Sequence, residues 1–241
     1  MAEQAELKIK PKLSAKELAS KYTNYLTFVV LFVLLGVLTK GGSLEWASIK
    51  NLLIAESVRA FAALGVGMII ITRGIDLSIG YMVCLTTSIA ASFSQNPDYS
   101  AAMYPGVDFP IILPIVAALA VGALFGAFNG ILVAYAKLPP FIATLGTMSL
   151  ARGTQLIYTQ AKVVGSLKNA YKHIAQGSLG PIPYLIIYVA IAAVVVWLIL
   201  RHTRLGTNLY AIGGNPQAAR VAGINVERCL VFVYTFAGLC Y

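Results

Sequence analysis

Four stretches of this chain, residues 22–39, 77–97, 109–136 and 173–200, contain no Asp, Glu, Lys or Arg. A helix needs about 20 apolar residues to cross the hydrocarbon of a bilayer. The second, third and fourth stretches exceed that length, and the first nearly reaches it. A bilayer core offers the backbone no water, so such segments must pair their own N–H and C=O groups as helices. Strands of a barrel would alternate polar and apolar residues, and these runs do not. Composition agrees. Only 11% of residues are charged and 59% are hydrophobic, whereas soluble domains carry about 25% charged residues. The sequence predicts an all-α protein, a polytopic transmembrane helical bundle.

Polar punctuation places about six complete spans near 22–39, 52–72, 77–94, 111–136, 141–159 and 183–200, with a partial seventh from Cys229. Residues 1–21 read as a cytoplasmic N-terminal segment, and Ser14 with Glu17 forms a capping box for a short helix there. Residues 22–241 read as the transmembrane domain, with a polar, basic loop at 201–228. The last apolar run has 13 residues after Arg228, too few for a span. The sequence therefore predicts a domain incomplete at its C-terminus, with the glycine groove at Gly122 and Gly126 left unfilled. With the N-terminus inside, the inner segments hold eleven Lys and Arg and the outer segments five. Basic residues concentrate on the cytoplasmic side of membrane proteins. The net charge of +9 is thus read as a set of topology signals in contact with a lipid bilayer, with no nucleic acid as partner.

Within this frame a few residues carry chemistry. Arg73-Gly74-Ile75-Asp76-Leu77-Ser78-Ile79-Gly80 sets two opposite charges and two glycines between apolar runs. Arg73 and Asp76 are three apart and could face each other on one helical turn. Each would cost about 2.5–3.5 kcal/mol at the bilayer centre. Two readings stand: a charge pair ending span 2, or a structured turn near a solute pathway. Glu56 and Arg59 have the same spacing and read as mutually neutralising. Gly122 and Gly126 allow close helix contact, and Asn129 could bond across helices or touch solute. Pro139 and Pro140 break spans 4 and 5. Thr144 and Thr147 could bond back to their helix or line a polar path. Arg152, mid-span by count, is expected to face protein. Cys84, Cys229 and Cys240 read as small buried hydrophobes. Neither they nor His173 and His202 have metal-ligand or catalytic spacing, so no metal site and no catalytic residue is expected.

The 211–224 segment reads as a short helix. Asn215 suits the N-cap, Pro216 the first turn and Gly223 the C′ position. A helix of about seven residues is unstable alone in water, so its own domain or a partner must hold it.

Three blocks in order resemble the membrane permeases of ATP-binding-cassette importers for monosaccharides, the ribose, galactose and xylose branch. They are Ile71–Gly80, Leu138-Pro139-Pro140-Phe141-Ile142-Ala143-Thr144-Leu145-Gly146-Thr147, and Ala211–Ile224. Within the branch, Ala211-Ile212-Gly213-Gly214-Asn215-Pro216 resembles galactose/methyl-galactoside permeases. The resemblance implies that Asn215, Pro216, Gln217, Ala218, Ala219, Arg220 and Gly223 form a cytoplasmic coupling helix that docks on an ATPase. Gln217 stands where the family motif is usually acidic. The resemblance also implies a multi-pass inner-membrane subunit in a permease dimer, expected as a homodimer, with a periplasmic or lipid-anchored sugar-binding protein. ATP and Mg would sit on the ATPase, and no cofactor on this chain. Asp76, Asn129, Thr144 and Thr147 would border the pathway, and Arg73, Gly74, Asp76, Gly80, Pro139 and Pro140 would shape its turns. A secondary transporter driven by an ion gradient remains the alternative. It would need buried carboxylates for coupling, and only Glu56 and Asp76 are available.

Overall fold

Apolar runs become helices here, and they stop where proline, glycine or a cluster of polar groups interrupts the ladder. The computed structural model describes residues 15–241, in two units that divide after residue 52. The first contains α1 (Ala15–Leu38), a 3-10 turn at Gly42–Leu44 and the start of α2 (Trp46–Ile71). The Ser14 cap lies outside the described residues; the helix expected after it is not a separate short one but runs on into the span as α1. Span 2 also starts earlier than expected: α2 includes Lys50 and has 26 residues.

The second unit continues with α3 (Ile79–Phe93), α4 (Ile112–Ala134), α5 (Pro140–Thr159) and α6 (Asn169–Gln176). A two-residue hairpin, β1 (Ser178–Leu179) with antiparallel β2 (Ile182–Pro183), leads into α7 (Tyr184–His202). Then come α8 (Arg204–Gly214), α9 (Pro216–Val221) and α10 (Val226–Cys240). The loop expected at 201–228 is therefore mostly helical. The sequence reading found α9 and missed α8. Thr203 caps α8 by accepting from Gly206 N–H. Gly206 lets the chain fold back on α7, since a Cβ there would lie 2.2 Å from Leu200 O.

Among the described residues three helices, α2, α4 and α7, are both long and apolar enough to cross a membrane. Residues 25–38 and α3 are shorter apolar helices. α5 has 20 residues but carries Arg152, Gln155 and several hydroxyls.

α4 and α10 meet backbone to backbone over several turns. A Cβ on Gly122 would lie 2.2 Å from Gly238 O, and one on Gly126 would lie 2.3 Å from Tyr234 O. The contact is reciprocal, because a Cβ on Gly238 would lie 2.1 Å from Gly122 O. In hydrocarbon, helices gain little from the hydrophobic effect and associate through such backbone-close packing. The glycine groove is thus filled, contrary to the sequence expectation, because even a short α10 reaches it. The main core joins Met68 and Ile69 of α2, Leu209 and Ile212 of α8, and Val233, Tyr234 and Ala237 of α10. A second core sets Met82 and Leu85 of α3 against Ala151 of α5. α7 is different: 6% of its apolar window is buried, against 22% for α4. Its exposed Ile191, Val194, Val195 and Leu198 form the uniformly apolar face that lipid requires.

Candidate functional site

The site is built around a segment that is not helical. Between α2 and α3, residues 74–78 form neither helix nor strand, and an irregular backbone in an apolar bundle must find partners inside the protein. It finds them on several elements. Leu77 N–H donates to Thr144 Oγ1 of α5 at 3.2 Å. Tyr234 of α10 donates its hydroxyl to Ile75 O at 3.3 Å. Gly74 N–H donates to Ile69 O at 3.0 Å. Asp76, 8% exposed, closes the segment on itself: its Oδ1 accepts from Ser78 N–H at 2.8 Å and from Ser78 Oγ at 2.6 Å. Its Oδ2 accepts from the Tyr241 hydroxyl at 3.0 Å. Asn129 of α4 then donates through Nδ2 to Ser78 Oγ at 3.1 Å. Its own Oδ1 is buried without a hydrogen-bond partner among the described residues.

Three of the four residues singled out for a pathway therefore converge. Asp76 and Asn129 meet through Ser78, and Thr144 joins through the Leu77 amide. Thr147 does not join them; its hydroxyl donates back to Ala143 O at 3.1 Å. Ser78 was missed although its place two residues after Asp76 is the spacing of an Asx-turn. Nothing in the local sequence signals Tyr234, which arrives from 159 residues away.

Arg73 and Asp76 do not pair. Among the described residues no ion pair joins them, because the backbone between them is not helical. Arg73 turns the other way, with φ +62, a left-handed conformation uncommon outside glycine. Its Nη2 donates to Gly214 O, the last carbonyl of α8, at 3.0 Å. Beside it, a Cβ on Gly213 would lie 1.9 Å from Ile71 O, so only glycine lets α8 abut the end of α2. Gly74 is needed for space, since a Cβ there would lie 2.7 Å from Ile69 Cγ2 and 2.8 Å from the Tyr234 hydroxyl. Gly80 meets no such restriction; it sits in the first turn of α3, not in the break.

α9 follows directly. Asn215 Oδ1 accepts from Gln217 N–H at 2.9 Å and Ala218 N–H at 3.1 Å, as an N-cap does. Pro216 is the first helical residue. Gly223, with φ +84, ends the helix, donating its N–H to Arg220 O at 3.0 Å. Arg220 is bound within the chain, to Glu227 at 2.7 Å. That hydrogen bond holds the Glu227 carboxyl below the ordinary carboxylate range. Ala219 is buried, whereas Val221 is 91% exposed. Pro139 and Pro140 start α5 as N-cap and first residue, leaving a break after α4.

At the opposite ends of α3 and α5 a second irregular stretch, residues 160–168, lies against residues 94–109. Gln95 Nε2 donates to Gly165 O, and Gln95 Oε1 accepts from Met103 N–H, both at 2.8 Å. Lys168 pairs with Asp108 and donates to Phe109 O at 2.7 Å. Glu56 and Arg59 pair as the sequence suggested, on an exposed face. Cys84 is exposed rather than buried, because α3 packs through its other face, and Arg152 is exposed in this single chain with its guanidinium beside the Tyr81 ring of α3. Among the described residues no cluster of His, Cys, Asp and Glu could hold a metal.

Residues 48–240 match a family model described as the branched-chain amino acid transport system / permease component. The chain is 38% identical over 224 residues to the galactose/methyl galactoside import permease protein of Haemophilus influenzae, covering 89% of this chain and 67% of that protein. The Escherichia coli K12 protein of the same name gives the same figures. The ribose import permease protein of Bacillus subtilis is 35% identical over 221 residues, 91% of this chain and 65% of that one. The chain thus spans about two thirds of the length of these relatives. No solved structure matches it.

Proposed function

This chain belongs to the branched-chain amino acid transport system / permease component family, as a monosaccharide permease of the ATP-binding-cassette type, and we propose that its segment 74–78 is the hinge between solute path and energy source. It is a transport subunit of a sugar importer, and the ion-gradient alternative falls with that assignment. The observation that carries the hinge is its double attachment. On one side Asp76, Ser78, Asn129 and Thr144 form a buried polar knot. On the other, Arg73 and Gly213 tie the same turn to the end of α8, one residue before α9.

In this proposal α9 docks on a separate ATPase that holds ATP and Mg. Gln217 carries no charge and Arg220 is already engaged, so the docking face is neutral and led by Val221. Movement of α8–α9 pulls on Arg73 and loosens the knot. Asp76, Asn129 and Thr144 then border the path, and Asn129 Oδ1 supplies a free acceptor for a sugar hydroxyl. Thr147 supports the wall by holding its own helix. A second permease copy and an external sugar-binding protein complete the assembly in the inner membrane. The bundle has about six complete spans, with the N-terminus and α8–α9 on the cytoplasmic side. Single-cysteine labelling in intact cells checks this orientation: Gln217→Cys should resist impermeant reagent and Asn96→Cys should react, and the reverse pattern would invert the topology.

The function is tested by reconstituting the complete transporter in proteoliposomes. Gly223→Phe should insert and bind partners yet lose sugar uptake per ATP hydrolysed, because φ +84 is unavailable to it at low cost. Unchanged coupling would remove α9 from the transmission path.

A further inference from the structure

Polar side chains lie in the middle of α3 and α5 on a face that this chain leaves uncovered. Arg152 of α5 and Thr87 of α3 are exposed, and Tyr81, Ser88 and Gln155 are half-buried beside them. The Arg152 guanidinium lies 5.3 Å from the centre of the Tyr81 ring. Gln155 Nε2 donates to Ser88 Oγ at 3.4 Å. Among the described residues no carboxylate pairs with Arg152. A cavity of about 270 Å³ runs along Thr87, Ser88 and Gln155 and is bounded by Lys162 and Val164 of the irregular stretch above.

A guanidinium turned to lipid at mid-helix is strongly disfavoured, so such a face looks onto water or protein. The lipid-type face of α7 carries no such groups. The chemistry of the strip is selective. Arg152 and Gln155 present planar arrays of donors, Ser88 and Thr87 both donate and accept, and the Tyr81 ring offers an apolar surface to C–H groups. With no carboxylate and the positive charges of Arg152 and Lys162, it does not suit a cation. Adjacent hydroxyls on a ring suit it well.

We propose that this strip is a binding surface for a neutral polyhydroxylated solute, a monosaccharide, on its way to the knot at Asp76, with Arg152 as its principal recognition group. The proposal rests on the import reading above and adds residues that the buried knot does not contain.

Cys84 supplies the test. It is exposed and lies between Tyr81 and Ser88 on α3. In the complete transporter, with Cys229→Ala and Cys240→Ala, a water-soluble anionic methanethiosulfonate should modify Cys84, and monosaccharide should slow the reaction. Arg152→Gln should raise the KM for uptake by about tenfold or more, the loss expected for a hydrogen bond to a charged group. ATP hydrolysis stimulated by loaded binding protein should persist, and Arg152→Lys should recover part of the KM. Modification by lipid-soluble maleimide alone would show that the strip faces lipid. Disulfide cross-linking of two Cys84 residues without solute protection would show a copy-to-copy contact. Either result overturns the proposal, as does normal KM in Arg152→Gln. If the unaltered transporter moves no monosaccharide at all, the import reading fails and takes this proposal with it.

Discussion

Residues 74–78 and residues 160–168 are both irregular, yet they are held by different means. The first stretch is bound by side chains from distant elements: Thr144, Asn129, Tyr234 and Tyr241. The second adds main-chain pairing with residues 94–96 to side-chain bonds from Gln95, Asn96 and Lys168. Asn96 N–H donates to Ser166 O and Lys168 N–H to Ser94 O, both at 2.8 Å, and Val163 is 94% exposed. The difference follows from solvent. An unpaired peptide group in the bundle has no water to turn to, so the inner stretch recruits hydroxyls and amides. The outer stretch leaves unpaired groups to solvent and tolerates left-handed residues at Gln160, Ala161 and Ser166. Dependence on side chains makes the inner stretch sensitive to single substitutions and suited to switching.

That contrast can be broken by substitution. The largest effect is expected at Asp76→Ala, which strands the Ser78 amide, the Ser78 hydroxyl and the Tyr241 hydroxyl. It should cost about 3 kcal/mol, since each stranded buried donor costs roughly 1–3 kcal/mol, and abolish uptake. Thermal unfolding in detergent measures the first and proteoliposome transport the second; a neutral result would refute the side-chain dependence. Thr144→Val, nearly the same shape, strands only Leu77 N–H and should cost about 1–2 kcal/mol. In the outer stretch, Gln95→Ala removes a buried bridge between Gly165 and Met103 and should cost about 1 kcal/mol. Faster amide exchange confined to 160–168, with uptake retained, would sharpen the comparison. The smallest effect has the opposite sign. Ala161→Gly relieves a φ of +55, and its gain over the entropy of glycine is about 0.5 kcal/mol. A loss of stability there would show that the strap is more constrained than its exposure suggests.

Local chemistry made several features legible in advance. The Asn215-Pro216 start and Gly223 stop of α9 needed only capping rules, and both stand as read. The Pro139-Pro140 break likewise follows from ring geometry. α8 escaped notice because Arg204, Thr207 and Asn208 dilute its apolar face, and its order comes from Leu209 and Ile212 entering the core of α2 and α10. The Arg73–Asp76 pairing failed because three-residue spacing brings side chains together only on a helix.

The sequence by itself determined that this chain is a helical membrane permease, because charge-free runs and ordered family blocks depend on composition and short-range order. Tertiary structure alone decided which polar residues meet. Asn129, Thr144 and Tyr234 reach one irregular segment only because α4, α5 and α10 pack around it. It also decided that Gly122 and Gly126 contact α10, and that Arg152 is left uncovered on the outside of α5. Each depends on which helix faces are paired, and residue spacing within one helix carries no record of its neighbour.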